Sequence, residues 1–495
     1  MYTKTLLYKL GPEIDCTPKD SWDKAVSESA LGRFGACGGG VIGNQHDVHE
    51  AHCPTAQTLI TQTNGAFRDV QNRRTIRPPP LNRQNFLSIL LIQHFNHLHP
   101  HSTWIELLPM RLGYDAHTDL AALALAESLE YHFGGRTQDA RFNSAMLCYD
   151  KAVSHLRSAI ESTNQDSFED ATLITVALLA ICEVMVSNHS TIRQKNVFVH
   201  WSGLKSVFLA KYEPSRVSDM GRAILYNLWD CTFGVACATG TPSPFEEGTW
   251  SQIEPASLHG MTLHAFVLRK LTNAIFIHTP RLMAYVRSIR QGEALLDPDL
   301  MGKTALVAAE LYGLKDEPAE SALLHRVKVT KTRDEASRTV VPYSYTFLDV
   351  DDFNAAVLYW SMRQSVINLC LMFHHLAPAT VSPFDDKAVE LMNNEKERCA
   401  TNLMMSWEFA ESLGPFETLW VAKGLLQNWL ELRRTKTFKN VPTAVVRAWA
   451  LPKMNHPFNE WLAEDVKESD MDTAADLLVG GPLIGFIAQT GSPNH

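Results

Sequence analysis

The sequence predicts an all-α protein, an irregular helical bundle or α-solenoid-like array that follows a poorly ordered N-terminal segment. Three observations predict this fold class. Apolar residues recur with helical spacing in long runs from residue 85 onward. Alternating β-branched runs with hairpin turns are missing from the sequence, apart from one candidate. Residues 1–84 hold clustered glycines, scattered histidines and prolines, and show poor periodicity.

Composition and charge indicate which classes of protein the chain can belong to. The chain has 495 residues, 45% of them hydrophobic, which suffices for a large core. Its net charge is -9, so we do not expect a surface that grips DNA by charge over its whole extent. Nine cysteines at irregular spacings argue against a secreted disulfide framework. Cysteines in apolar helical stretches, such as Cys148 and Cys182, are expected to act as small core residues.

The sequence also predicts a soluble, intracellular chain with no membrane partner. The N-terminus lacks an apolar stretch of the length that signal peptides use. The most apolar run, 171–186, is shorter than the roughly 20 residues that span a bilayer, and it contains Glu183. We therefore predict that this run is a buried core helix.

The predicted helices begin with 86–98 and 117–133, the second with Thr118 and Asp119 as capping residues. In 141–161 the apolar side chains fall on one helical face. Residues 167–170 resemble a capping box before the run that ends at 186. The remaining predicted helices are 196–212, 219–238, 263–290, 299–312, 353–375, 388–413 and 415–433. The run 327–345 is the candidate hairpin, although its polarity fits a long surface loop equally well.

Three stretches carry a resemblance to a known family. The first is CYDKAVSHLRSAI, residues 148–160. The second is LLAICE, 178–183, followed by HWSGLKSVF, 200–208, and the third is LMMSWEFAESLGPF, 403–416, followed by Leu419 and Trp420. A weaker match covers 352–371. In this order and spacing they resemble the regulatory, or middle homology, domain of fungal zinc-cluster transcription factors over roughly residues 85–450.

The resemblance implies a fungal transcription regulator that acts in the nucleus and controls a gene set, which could be a metabolic gene cluster. It implies partners in the transcription machinery or a DNA-binding regulator, a small-molecule effector, and a homodimer as one arrangement. The expected divisions are a segment 1–84, the helical domain 85–450 and an acidic tail 451–495. No catalytic residue, metal ligand or cofactor is assigned.

The sequence departs from the family at its N-terminus. Family members carry six cysteines that bind two zinc ions and begin with a Cys-x-x-Cys pair. Residues 1–84 supply only Cys16, Cys37 and Cys53, so we expect no zinc cluster there. The alternative function is a repurposed relative that works as an enzyme or a metabolite-binding protein in a biosynthetic pathway. A third hypothesis is that the chain is a scaffold that dimerises with an intact regulator.

Four arginines, Arg68, Arg73, Arg74 and Arg77, form a short basic run that is a candidate nuclear import signal or an arm that contacts the DNA backbone, with a solvated linker as the alternative. The acidic-apolar segment 460–476 has the composition of an activation segment, but we favour an ordinary amphipathic helix. No Gly-x-Ser-x-Gly elbow, phosphate loop or His-Glu-x-x-His motif occurs in the sequence.

Other polar clusters are interpreted as structural. The glycines of 38–43 lack the flanking strand and helix of a dinucleotide loop. Metal binding is the minor alternative for the histidines and cysteine of 46–53, and the histidines of 94–101 are interpreted as core or surface residues. His374 and His375 are expected at a helix C-terminus, where a cation favours the dipole. His200 and Gly203 are assigned structural roles in capping and helix crossing.

Overall fold

The computed structural model describes residues 104, 107–133, 139–162, 170–186, 203–209, 217–254, 261–293, 297, 299–462 and 466–483. Within these ranges the secondary structure is almost entirely helical, and sheet is limited to two short hairpins. The all-α prediction is therefore confirmed. The low order expected for 1–84 and the predicted helix 86–98 lie outside the described residues.

The chain forms two compact units, with the described residues up to 209 in the first and those from 217 onward in the second. The helices of the first unit are α1 (Ala116–Phe133), α2 (Asp139–Ser162), α3 (Asp170–Val186) and α4 (203–209). The helices of the second unit are α5 (Asp219–Thr239), α6 (Leu263–Arg290), α7 (Leu300–Gly313), α8 (Glu317–Leu324), α9 (Val350–Leu376), α10 (Asp386–Met405), α11 (Trp407–Leu413), α12 (Pro415–Arg434), α13 (Thr443–Leu462) and α14 (Glu468–Leu478).

Helix α3 confirms the prediction of a buried core helix, because most of its apolar side chains and Glu183 are buried. It packs against α1, and the hydroxyls of Thr118 and Thr175 lie 3.1 Å apart across that contact. The predicted capping role of Thr118 and Asp119 is wrong. Helix α1 begins at Ala116, so both residues lie in its first turn, and the Asp119 carboxylate accepts a 2.7 Å hydrogen bond from the Gly113 N–H.

Helix α9 is the centre of the second unit and packs against α6, α7, α10 and α12. Apolar residues such as Trp360 and Phe373 are fully buried on it, and so is the polar Arg363. A helix buried on nearly all sides has no wide polar face, and this one carries its polar groups in the interior, where they need partners.

The structure corrects one predicted helix. Residues 388–413 were expected to form a single helix, but α10 ends at Met405 and α11 begins at Trp407. At the break, the Ser406 hydroxyl donates a 2.8 Å hydrogen bond to the Asn402 carbonyl oxygen. No proline or glycine marks this break, so periodicity alone runs through it. Trp407 is therefore the first residue of a separate helix, α11, and does not continue α10.

Two helices, α8 and α13, were not among the predicted runs. Helix α8 is short. Helix α13 contains Pro452, and a proline inside a run argues against a helix when only the sequence is considered. Helix α14 lies within the acidic segment 460–476 and its continuation, and it is the amphipathic helix that we favoured for that segment. Its Met471 and Ala475 are buried.

Two antiparallel hairpins connect the helices. Strand β1 (Lys328–Lys331) pairs with β2 (Tyr343–Thr346), with Lys328 opposite Thr346, which confirms the hairpin interpretation of 327–345. Strand β3 (Thr437–Phe438) pairs with β4 (Val441–Pro442). Their connection places Lys439 and Asn440 at positive φ, as a type I′ turn requires, and it leads directly into α13.

Candidate functional site

The basic run of Arg68, Arg73, Arg74 and Arg77 lies outside the described residues. The glycine cluster of 38–43, the histidines of 46–52 and 94–101, and His200 lie outside them as well. No group of three His, Cys, Asp or Glu side chains in the described ranges is arranged to hold a metal ion. Nor is any described helix long and apolar enough to cross a bilayer.

His374 and His375 lie in the last turn of α9, as expected from the sequence. The Nδ1 atom of His374 lies 2.8 Å from the hydroxyl of Ser382, and His375 is exposed. Part of the acidic segment lies in the described residues, as helix α14. Its carboxylates contact arginines of other helices in the second unit.

A groove of about 810 Å³ lies in the second unit, and we call it the indole groove. Its volume falls within the range of small-molecule sites, roughly 300–1,000 Å³. Its lining residues are Asp334, Ala336, Ser337, Thr339, Val340, Trp407, Glu411, Gly414, Thr418, Val445, Ala448, Trp449, Pro452, Lys453 and His456. Three elements meet here: the turn after β1, the α11–α12 corner, and α13.

Two tryptophans form the core of the indole groove. The rings of Trp407 and Trp449 lie edge to face, with centroids 6.4 Å apart. The Trp407 Nε1–H donates a 2.5 Å hydrogen bond to Glu411, one turn further along α11. The Trp449 Nε1–H donates a 2.9 Å hydrogen bond to the Ser337 hydroxyl. Since both indole N–H groups are bonded, the ring faces are held in fixed positions.

A cation sits against both rings. The Nζ atom of Lys453 lies 5.3 Å from the Trp407 ring centroid and 5.7 Å from that of Trp449, within the range of cation–π attraction. The same Nζ lies 3.3 Å from Oε1 of Glu411. The side chain of Lys453 is only 18% exposed. Its ammonium is therefore contacted by two aromatic rings and one carboxylate.

The Asp334 carboxylate at the rim of the groove is ionised. The Ser337 hydroxyl donates a hydrogen bond to the Asp334 carboxylate, and this lowers the pKa of Asp334, with a smaller contribution from the positive charge of Lys453. A carboxylate with a lowered pKa is a poor general base. Ser337, whose oxygen also accepts the bond from Trp449, is therefore not activated as a nucleophile by Asp334.

A second concavity of about 660 Å³, which we call the ionic groove, lies between α7, α8 and α10. Its ionisable lining residues are Lys315, Glu317, Glu320, His325, Glu395 and Arg398. Lys315 pairs with Glu317 at 2.8 Å, and Arg398 contacts Glu320. Glu320 also accepts a 2.7 Å hydrogen bond from Trp360 Nε1. The charges of this groove are thus largely neutralised by one another.

Two buried carboxyl groups have unusual proton affinity. Burial raises the pKa of Glu417, in the first turn of α12, from 4.5 to about 7. Burial also raises the pKa of Glu246 to about 7, although its contact with Arg281 opposes the change. Oε2 of Glu417 has no hydrogen-bond partner within the described residues, which is consistent with a carboxyl that is protonated near neutral pH. Neither group lines either groove.

The sequence identified part of the indole groove and missed the rest. Trp407, Glu411 and Gly414 belong to the stretch 403–416 on which the resemblance rests. Trp449 and Lys453 belong to α13, which was not predicted. Their spacing of four residues puts both on one helical face, and that was the available signal. Nothing in the sequence connects that face to Trp407.

No protein-family model, curated protein or solved structure matches this chain.

Proposed function

We propose that the chain is a transcription regulator whose helical body responds to a small effector bound in the indole groove. The observation that carries this proposal is a coincidence of position. The stretch 403–416 bears the family resemblance, and it forms one wall of the indole groove through Trp407, Glu411 and Gly414. A groove of this volume with fixed aromatic faces suits a drug-sized ligand.

A second contact supports the same proposal from the first unit. Tyr149 belongs to the stretch 148–160 and Glu183 to the stretch 178–183, both of which resemble the family. The two side chains are hydrogen-bonded to each other in the interior, and burial together with Glu183 raises the pKa of Tyr149. Motifs that are far apart in sequence therefore pack together, as parts of one helical domain are expected to do.

The chemistry of the indole groove favours binding over catalysis. Asp334 is ionised and hydrogen-bonded to Ser337, and Glu411 is engaged by Trp407 and Lys453. Groups that are already matched in this way hold rings and charges in place, but they are poorly disposed to take a proton from a substrate. In this proposal the regulator acts in the nucleus, and DNA contact is supplied by a partner regulator or a dimer.

The test is a paired transcript and metabolite profile of strains that carry altered copies of the gene. One strain lacks the gene, a second carries Trp449→Ala, and a third carries Lys423→Ala as the control. Lys423 lies over Trp420, 4.4 Å from its ring centroid, and does not line the groove. We expect a shared gene set to change in the first two strains and to remain unchanged in the third.

The alternative function is a metabolite-binding protein or enzyme, and the ionic groove is its candidate site because ionisable side chains of both signs line it, although several of them are paired with one another. Under this alternative, transcripts stay constant in the deletion strain and one metabolic intermediate accumulates. That result would overturn the regulator proposal. Lys315→Met and Arg398→Met should then reproduce the accumulation, while Trp449→Ala should not.

A further inference from the structure

The indole groove is already occupied by an ammonium group of the chain itself, the side-chain amine of Lys453. The Lys453 ammonium lies within 6 Å of two indole ring centroids and 3.3 Å from Glu411. Asp334 contributes a second negative charge near it. Two indole faces and two carboxylates around one cation are the components by which proteins recognise alkylammonium groups.

The salt bridge between Lys453 and Glu411 adds little to what holds the Lys453 ammonium in the groove. Lys453 and Glu411 form a partly exposed pair, with the Glu411 side chain 48% exposed, and such pairs contribute little to stability. The lysine stem is flexible, so the ammonium can turn outward into water while α13 stays in place. The groove also extends well beyond the ammonium, since its volume of about 810 Å³ exceeds that of a lysine head group many times over.

The lining selects among ammonium ligands. Away from Lys453 the walls are mostly apolar, with Val340, Val445 and Pro452 among them. A primary ammonium has three N–H donors that need acceptors, whereas a fully methylated ammonium has none and is more weakly hydrated. The methylated cation therefore loses less on entering such a groove, and it keeps the attraction to the indole faces and the carboxylates.

We propose that the indole groove binds a small molecule that carries a methylated ammonium group, and that Lys453 is an internal occupant which this ligand displaces. The inference uses the same groove as the proposed function, but binding is independent of any effect on transcription. It names the ligand class by chemistry: a choline-like head group with an uncharged remainder that lies along the apolar walls.

Calorimetric titration of the full chain with choline tests this. The matched probe is 3,3-dimethylbutan-1-ol, which has the shape of choline without its charge. We expect choline to bind at least about tenfold more tightly than the neutral alcohol, the order of magnitude of one cation–π contribution. Equal affinities for the two probes, or no binding of choline, would overturn the proposal.

Variants make the test specific. Lys453→Met vacates the site while keeping the stem, so choline should bind several-fold more tightly than to the unaltered chain. A gain in affinity cannot arise from a variant that merely fails to fold. Trp449→Leu should abolish binding, and Lys423→Met, at the cation–π pair outside the groove, should leave it unchanged. Unchanged affinity in Lys453→Met would contradict the displacement.

Two further comparisons test whether the ligand is a small molecule or a peptide, and whether ligand binding and the proposed function fail independently. A peptide with one trimethyl-lysine is titrated beside its unmethylated form, and preferential binding of this peptide without binding of choline would overturn a small-molecule ligand. If choline binds as expected but the Trp449→Ala strain shows normal transcripts, the site stands and the proposed function fails. If transcripts change but choline does not bind, the ligand class is wrong and the proposed function stands.

Discussion

The phenol of Tyr149 on α2 is hydrogen-bonded to the carboxylate of Glu183 on α3, and both side chains are buried. Tyr149→Phe removes the donor and leaves a buried carboxylate with one fewer partner. We expect a loss of about 1–3 kcal/mol in the free energy of unfolding, measured by urea denaturation. Tyr114→Phe is the control, because Tyr114 is 77% exposed and should change stability very little. Equal stabilities of the two variants would show that the bond carries no net energy.

Arg363 on α9 is a buried cation at the end of another helix. Its guanidinium lies 2.8 Å from Glu395 and donates hydrogen bonds of 3.1–3.3 Å to carbonyl oxygens at the C-terminus of α7, including that of Tyr312. Arg363→Met should cost about 3–5 kcal/mol, because it leaves Glu395 and those carbonyls without their partner.

A matched variant checks the role of burial in that prediction. Lys303 pairs with Asp297 at 3.3 Å, but both side chains are about half exposed. Lys303→Met should therefore change the unfolding free energy by no more than about 1 kcal/mol. Combining Glu395→Met with Arg363→Met should recover part of the loss, since the buried carboxylate is then removed as well. A double variant as unstable as the sum of both single changes would contradict this account.

Two helical glycines should respond in opposite directions to alanine. A Cβ at Gly424 on α12 would lie 2.7 Å from Cδ1 of Leu403, which is buried on α10. Gly424→Ala should cost about 1–3 kcal/mol, because the buried Leu403 side chain would have to shift within a packed core. Around Gly234 on α5 a Cβ meets nothing within 4 Å. Gly234→Ala should stabilise the helix by roughly 0.5–1 kcal/mol. Thermal melts of both variants measure the contrast, and a shift of the same sign in both would refute it.

The stability of the chain should fall as the pH rises through neutrality, partly because of Glu417. Burial raises the folded-state pKa of Glu417 from 4.5 to about 7. A carboxyl with a raised pKa stabilises the fold below about pH 4.5, and this contribution is lost as the pH rises through 7. At pH 8 the Glu417→Gln variant should be more stable than the unaltered chain by about 2–3 kcal/mol, and near pH 4 the two should be equal.

The readout is the difference in unfolding free energy between variant and unaltered chain from pH 4 to pH 8, because Glu246 titrates in the same range. Glu335→Gln is the control, since the Glu335 side chain is 92% exposed. Replacing this exposed carboxylate should change the unfolding free energy by less than about 1 kcal/mol. A flat difference for Glu417→Gln would mean that water or a shift in local packing solvates this carboxylate.

Helical periodicity predicted most of the elements because apolar spacing is a local property. The predicted helix 263–290 coincides with Leu263–Arg290, although Pro280 lies inside it. The break at Ser406 and the helix α13 were missed for a different reason. The first has no local punctuation, and the second contains prolines that local rules count against a helix.

The indole groove depends on contacts between residues that are far apart in sequence. Trp407 could be singled out from its motif, but Trp449 and Lys453 come from α13, and Ser337 comes from the turn between β1 and β2. Their meeting is set by the packing of three elements, which periodicity does not encode. Buried Arg363 is a similar case, since a lone arginine in an apolar run gives no sign of the helix end that it contacts.

Helix α14 is held by a row of carboxylates four residues apart, Glu468, Asp472 and Asp476, and each contacts an arginine from a different helix. Their partners are Arg447 of α13, Arg433 of α12 and Arg290 of α6. Asp472 differs from the other two, because it also accepts a 2.9 Å hydrogen bond from Nε1 of the fully buried Trp429.

The three carboxylates should therefore contribute unequally to the free energy of unfolding. Asp472→Ala leaves a buried indole N–H without its acceptor and should cost about 1–3 kcal/mol. Glu468→Ala removes only partly exposed pairs, with Arg447 at 3.3 Å and with Arg433 at 3.8 Å, and should cost less than about 1 kcal/mol. Urea denaturation at low and high salt separates the two effects. Added salt should shrink the cost of Glu468→Ala, which is a screened charge effect, and leave most of the cost of Asp472→Ala, which is a lost hydrogen bond. Equal costs with equal salt dependence would mean that the Trp429 bond adds nothing to the docking of α14.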